Sequence, residues 1–283
     1  MPQSEPPRSR SRQGENRPTP ISSIVVVIPA RNEADTIASA LTIVDEASEM
    51  LPSIPVDVVV ACDRCTDDTA LKSKTVRARN CVIHVVESTG WRTVGEVRAA
   101  GVRQGLLRAT KRNVSLPSVW IANTDADTSV GPRWLVDQLR FANSGVDAVA
   151  GIVDLRADGS LSDLTVKVFH EMYSSNRHGH GHGQGHGQGD GHVHGANLGV
   201  RACAYEIAGG FPSLARSEDR ALWQSLVDSG HRCVASCDVS VQTSGRLVGR
   251  VDEGFAYWLA VRQSLAQALT RDKNTPTVSP LAS

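Results

Sequence analysis

Residues Ile24–Ser48 read IVVVIPARNEADTIASALTIVDEAS. The opening IVVVIP is a continuous apolar, mostly β-branched run of the kind found in strands covered on both faces, and Ile37, Leu41 and Val44 then recur at helical spacing. The alternation repeats along the chain. Val56–Ala61 is followed by acids and a helix-like segment, and Cys81–Val86 by a helical stretch from about Val94 to Ala109. Val119–Asn123 makes a fourth strand and Ala148–Val153 a fifth. Strands alternating with helices predict an α/β fold with a mostly parallel central sheet flanked by helices. In open sheets of this kind ligands bind beyond the carboxyl ends of the strands, and Asp63, Asp125 and Asp127 stand at or just past such ends.

At 283 residues and 40% hydrophobic content the chain has enough apolar surface for a real core. Lys and Arg number 30 and Asp and Glu 30, so no global field draws the protein to nucleic acid or anionic lipid, and any partner is recognised locally. Residues 1–20 are rich in Pro, Ser and Arg and lack the apolar stretch of a secretory signal, so they read as a disordered leader. No run reaches the roughly 18 apolar residues of a membrane span. Six cysteines without a signal peptide are expected to be reduced, which makes a cytoplasmic location the expectation. Two of them, Cys62 and Cys65, have the C-x-x-C spacing of redox pairs and half zinc sites, but neither a thioredoxin-like context nor a second ligand pair accompanies them.

The segment from His178 to Gly195 contains six histidines interleaved mostly with glycines. It cannot bury an apolar face and reads as a flexible loop, with imidazoles that chelate transition metals whether or not that is their purpose. Beyond it come a helix-like SEDRALWQSLVDSG, a short strand in VASCDVSVQTS and a helix from about Val251 to Leu269. The apolar stripe of that last helix has two readings, packing against the domain and peripheral contact with a membrane surface, of which the first is the commoner. Residues 272–283 read as an unstructured tail.

Chemistry concentrates in the acids. Asp125 and Asp127, spaced D-x-D after a buried strand, suit a hard divalent cation such as Mg²⁺ or Mn²⁺, whose charge offsets their repulsion. Paired acids in loops are also often solvated or capping a helix. Asp63, after the second strand, can accept hydrogen bonds from a ring N–H or a ribose hydroxyl; its other reading is a local turn with Thr66 and Asp67.

Taken together, PARNE (Pro29–Glu33), D-x-C-T-D-x-T (Asp63–Thr69), NTDAD (Asn123–Asp127), HGANLGVRA (His194–Ala202) and the pair Glu218-Asp219 resemble, in order, the motifs of family-two inverting glycosyltransferases of the GT-A fold. The resemblance runs from about Ile24 to Arg250, with Cys65 standing where serine is usual. It implies a single domain over 21–271, with a nucleotide-binding half over about 21–130 and an acceptor-side half over about 131–271 carrying the histidine loop as a lid. It implies that Pro29, Ala30 and Glu33 line the pocket for the base, that Asp63 holds base or ribose, and that Asp125 approaches ribose or metal. Asp127 would coordinate a cation, Mg²⁺ or Mn²⁺, bridging the two phosphates. Arg98 matches a basic residue that helps seat the nucleotide sugar, although a solvated helix charge is its other reading. Glu218-Asp219 match the family's E-D pair, whose Asp is the general base; an N-terminal helix cap with Ser217 is the alternative. Arg246 and Arg250 offer guanidinium groups to a diphosphate in the region where the family often closes the metal site with a histidine or basic residue, and an ordinary solvated charge is the alternative for both.

The implied partners are a nucleotide diphosphate sugar and an unidentified hydroxyl acceptor, without nucleic acid. Two other function classes stay open at this point: a nucleotidyltransferase on a related sheet, although PARNE stands where a Gly-rich phosphate loop would be needed, and a non-enzymatic metal-binding protein built on the histidine loop.

Overall fold

The computed structural model describes residues 18–156 and 193–244, with Val261 and Ser264 besides. Eight strands form one sheet: β1 (Ser23–Ala30), β2 (Val56–Asp63), β3 (Val82–Ser88), β4 (Val119–Asn123), β5 (Thr128–Val130), β6 (Ala148–Leu155), β7 (Leu198–Arg201) and β8 (Cys233–Thr243). Their spatial order is β3-β2-β1-β4-β7-β6-β8-β5. β1 lies between β2 and β4 and pairs with both in parallel, which accounts for its unbroken apolar run. Four of the ladders are parallel and three antiparallel, the antiparallel ones involving β7 twice and β5 once. The expected sheet is therefore present, with an antiparallel insertion that the apolar runs did not announce.

Alternation along β1 divides the core. Ile24, Val26 and Ile28 face α1 (Ile37–Glu49), α2 (Thr69–Thr75) and α4 (Trp134–Asn143), while Val25 and Val27 face α3 (Val94–Lys111), α5 (Ala202–Ile207) and α6 (Glu218–Asp228). Ile37, Leu41 and Val44, the helical triplet of the opening stretch, are buried against the first of these faces. The helical layers hold the sheet rigid, and the loops leaving the carboxyl ends of β1, β2 and β4 are carried on it.

α3 approaches β1 more closely than most side chains would permit. A Cβ on Gly105 would stand 2.1 Å from Val25 Cγ1, and one on Gly101 2.6 Å from Val27 Cγ1. The two glycines are four apart, one helical turn, so they make a single flat stripe against the strand. Alanine at an open helix position gains about 1 kcal/mol over glycine, but overpacking a core costs about 1–3 kcal/mol. Gly105→Ala is therefore expected to destabilise the protein, seen as a lower urea midpoint at unchanged slope, whereas propensity alone would raise it.

Candidate active site

The loops after β1 and β2 are laced together. The Glu33 N–H donates to Thr69 Oγ1 at 2.7 Å, Ala34 N–H to Asp67 Oδ2 at 3.1 Å, Thr66 N–H to Asn32 Oδ1 at 2.8 Å and Lys72 Nζ to the Ala34 carbonyl at 2.8 Å. Asn32 and Arg64 turn these loops in the left-handed region, at φ 54° and 48°. Burial would raise the Asp67 carboxyl, but hydrogen bonds from Thr69 and the Ala34 N–H carry it below its ordinary value. Glu33 is buried beside Thr36, whose hydroxyl donates to it at 3.1 Å. Pro29 and Ala30 close β1 next to this knot. Asp63, the last residue of β2, accepts from Arg64 Nε at 3.0 Å and Nη2 at 2.8 Å, so its partner is the neighbouring guanidinium and not a turn with Thr66. Cys62 and Cys65 are free thiols; burial foremost, then Cys65 itself, pushes the Cys62 thiol up to about 12.

Arg98, in the first turns of α3, stands at the centre of the acids and is 4% exposed. Its Nη2 donates to Asp125 Oδ1 at 2.6 Å and its Nε to Glu218 Oε1 at 3.1 Å, while Nη1 has no hydrogen-bond partner among the described residues. Phe211 lies against it with the ring centroid 6.0 Å from Cζ, and the backbone at Gly195 is so close that a Cβ there would be 2.4 Å from Nη2. Burial works against the charge of Arg98, but Asp125 and then Glu218 hold its pKa above the ordinary arginine value. Glu218 responds in the opposite sense: burial lifts its carboxyl, Arg98 pulls it back and Asp219 adds to the rise. The solvated-charge reading of Arg98 fails, because the guanidinium is enclosed.

Adjacent in sequence, Glu218 and Asp219 point differently. Glu218 is buried on Arg98; Asp219 is half-exposed, its Oδ2 accepting the Gly195 N–H at 2.7 Å and its Oδ1 the Arg220 N–H at 2.8 Å. Ser217 is no cap in the ordinary sense, since its backbone is left-handed at φ 57° and its side chain makes no capping hydrogen bond. Asp127 is half-exposed and accepts from Ser244 Oγ at 3.1 Å. His194 stands at the head of the turn Gly195–Asn197, where its carbonyl accepts the Asn197 N–H at 2.9 Å. Among the described residues no three His, Cys, Asp or Glu side chains converge to hold a metal. Arg246, Arg250, the histidines from 178 to 192 and the helix expected over 251–269 lie outside the described residues, apart from Val261 and Ser264, which are helical.

Two supports escaped the sequence reading. Asn197 is fully buried; it accepts from Trp134 Nε1 at 3.0 Å and donates to the carbonyls of Ile152 at 2.8 Å and Val239 at 3.1 Å. It thereby pins the Gly195 turn to α4, β6 and β8, and the only sequence signal for it is its place in the HGANLG motif. The second is Glu96, which fixes the loop leading into α6. Its N–H donates to Thr93 Oγ1 at 3.2 Å as a helix cap, and its carboxylate takes the Ser213 hydroxyl at 2.6 Å and the Arg92 N–H at 2.7 Å.

Residues 25–204 match the family described as Glycosyl transferase family 2. Among solved structures, the mannosyltransferase PcManGT from Pyrobaculum calidifontis, in complex with GDP-Man and Mn²⁺, is similar at a TM-score of 0.57 and 19% identity, over 93% of this chain and 67% of that one. S. aureus TarS 1-349 in complex with UDP is similar at 0.53 and 15%, over 89% and 72%. Against a longer TarS chain the match spans 44% of that chain's length. At these identities the likeness is one of fold, the GT-A type. Among curated proteins nothing matches the chain.

Two outcomes follow from the geometry. Arg98→Met leaves Glu218 buried without its counter-charge and is expected to cost about 3–5 kcal/mol in urea denaturation, with Arg98→Met/Glu218→Gln recovering part of it. The Ser213 hydroxyl foremost, and then the Arg92 N–H, hold the Glu96 carboxyl down at about 2, so the stability it lends is present above the ordinary value of 4.5 and lost as pH falls from there toward about 2. The protection of the Gly95 amide, whose N–H donates to the Leu214 carbonyl at 3.3 Å, measured against its intrinsic exchange rate at each pH, should fall across that window and should already be reduced at neutral pH in Glu96→Gln.

Proposed function

The chain belongs to glycosyl transferase family 2 and is a glycosyltransferase, and on that premise we propose that it moves a sugar, with inversion, from a nucleoside diphosphate sugar to a hydroxyl acceptor. The observation that supports this reading is the chain Asp125–Arg98–Glu218, at 2.6 and 3.1 Å. It draws the acid motif after β4 and the acid pair opening α6 to one place, although Arg98 and Glu218 are 120 positions apart in sequence.

In the proposed reaction the acceptor oxygen attacks the anomeric carbon from the face opposite the leaving group. The bond from that carbon to the diphosphate breaks, and the hydroxyl proton passes to Asp219. Of the pair, Asp219 is the residue open enough to meet an acceptor, and the Gly195 N–H aims it toward the HGANLG turn. Glu218 is turned inward and acts as a positioning residue, keeping Arg98 in place against Asp125. Asp63, Pro29, Ala30 and Glu33 are assigned to the nucleoside, with Arg64 exchanging the Asp63 carboxylate for the ligand. Arg246 and Arg250 are assigned to the diphosphate.

The residues present fit a divalent cation. Mg²⁺ and Mn²⁺ take oxygen ligands, and such ions share their remaining positions with water and substrate phosphates, so two half-exposed carboxylates are a sufficient protein contribution. Asp127 is the principal ligand in this proposal, since Asp125 already gives one oxygen to Arg98. When bound, Mg²⁺ or Mn²⁺ would offset the negative charge that builds on the departing diphosphate. No helix among the described residues is long and apolar enough to cross a membrane, and the proposal places the reaction in the cytoplasm.

Incubation with a panel of nucleotide sugars and divalent ions tests the assignment, and failure to bind or turn over any donor would overturn it. Asp219→Asn is expected to lower kcat by about 10²- to 10⁴-fold with donor affinity by calorimetry nearly unchanged. Asp127→Ala should instead lose donor affinity and Mn²⁺ dependence together. An identical phenotype for both substitutions would contradict this division of labour.

A further inference from the structure

Cys62 and Cys65 bracket Asp63 and Arg64, whose side chains form an ion pair at 2.8 Å. Cys62 lies near the end of β2 with its thiol in the apolar core under α1 and α2, and Cys65 packs against the same group of side chains from the loop. Cys62 stands opposite Ala30 of β1 in the parallel ladder, and the Cys65 thiol donates to the Ala30 carbonyl at 3.5 Å. The chain therefore leaves Cys62, turns through Arg64 in the left-handed region at φ 48°, and brings the second sulfur back over the strand neighbour of the first. Cys65 stands close enough to act on the Cys62 thiol by both charge and a hydrogen bond.

The two thiols differ in access. Cys62 is 2% exposed, whereas Cys65 is half-buried and is followed by the exposed Thr66. A reagent in solution therefore meets Cys65 first. Burial is the larger influence holding the proton on Cys62 and Cys65 is the next, and the second ceases once the Cys65 sulfur is bonded and carries no charge. Reaction at the accessible thiol thus prepares the enclosed one.

We propose that Cys62 and Cys65 are a site of reversible oxidation, closed to a disulfide by exchange with a small-molecule disulfide. The Cys65 thiolate attacks one sulfur of R–S–S–R, that S–S bond breaks, and one RSH leaves with a proton. The Cys62 thiol then gives up its proton and attacks the Cys65 sulfur; the mixed S–S bond breaks and a second RSH leaves. Two thiols have been oxidised by two electrons, and one disulfide has been reduced to two thiols. The second step is intramolecular and meets Cys62 at high effective concentration, where burial excludes a second molecule of reagent. The ring spans only Cys62 to Cys65, so chain entropy adds little to it and a reductant reopens it. Closure takes the Cys65 S–H away from the Ala30 carbonyl and strains the backbone bonds on either side, from the Arg64 N–H to the Ser88 carbonyl at 3.0 Å and from the Thr66 N–H to Asn32 Oδ1 at 2.8 Å. On the glycosyl-transfer reading this wall receives the nucleoside, so the oxidation state of the pair regulates donor binding; that regulation, unlike the disulfide, rests on that reading.

The full-length protein, without donor or metal, is equilibrated in glutathione buffers of rising disulfide content, alkylated in denaturant and digested with trypsin. Cleavage after Arg64 separates 32–64 from 65–72, so these two peptides should travel as one species until reduced, with both cysteines lost to alkylation together. The exposed Cys237 should take a glutathione adduct in the same samples, which shows that the reagent acts. In Cys62→Ala the reaction should stop at a glutathione adduct on Cys65, and in Cys65→Ser the Cys62 thiol should stay alkylatable. Protection of the Arg64 and Thr66 amides, measured against their intrinsic exchange rates, should be lost on oxidation of the wild type and kept in Cys65→Ser. Both thiols staying alkylatable while Cys237 reacts, or an adduct on Cys65 of the wild type with no bond to Cys62, would overturn the disulfide. Unchanged amide protection in the oxidised protein would overturn its hold on the loop. Calorimetry with a panel of nucleotide sugars is then run on both forms, and loss of affinity on oxidation, restored by dithiothreitol, is the expected result. Equal affinity in the two forms would overturn the regulation. No affinity in the reduced form would overturn the transfer reading and the regulation with it, while the disulfide, measured without donor, stands.

Discussion

Enclosing a guanidinium costs free energy unless carboxylates accompany it, and Arg98 is enclosed with two. That requirement couples parts of the chain that are far apart in sequence. Asp125 must leave β4 on the side of α3, α6 must begin with Glu218 facing inward, and the Gly195 turn must pass so near that a side chain there would collide with the guanidinium. The charge of Arg98 thus organises this cluster of side chains. Its Nη1 is buried as well and has no hydrogen-bond partner among the described residues.

A second tier of contacts keeps that arrangement rigid. Asn197 ties the turn carrying Gly195 to the antiparallel part of the sheet, and Glu96 ties the loop before α6 to the start of α3. The loops following β1 and β2 are knotted through Asp67, Thr69 and Asn32. This last knot uses the backbone N–H groups of Glu33, Ala34 and Thr66, which a loop leaving a sheet would otherwise have to surrender to water. The result is a set of polar side chains on loops, held by a scaffold whose own packing is apolar. Membership of a glycosyltransferase family and a GT-A type fold agree with that division between scaffold and site.

Much of the scaffold was legible in the residues. β1, β2, β4 and β6 are apolar runs in the sequence because each is covered by helices or neighbouring strands, and α1 shows its buried face in Ile37, Leu41 and Val44. β5 and β7 were not legible. They are three and four residues long, too short for a periodic pattern, and exist because β8 and β4 supply their hydrogen bonds. The acids at the strand ends were equally visible, whereas the contacts of Asn197, Glu96 and Ser213 were not, since a polar residue in a turn, a helix start or a loop looks the same whether it faces water or another polar group.

The sequence by itself determined the class of fold, the strands that make its centre and the acids that stand at the ends of those strands, because burial of apolar runs and the clustering of carboxylates are local properties. Only the tertiary structure decided which of two neighbouring acids is buried on a guanidinium and which stays half-exposed, and whether Arg98 is a surface charge or an interior one. Those choices depend on what approaches from Gly195, Phe211 and the left-handed turn at Ser217. Electrostatics in an enclosed site is set by neighbours through space, and the chain order of residues carries no record of them.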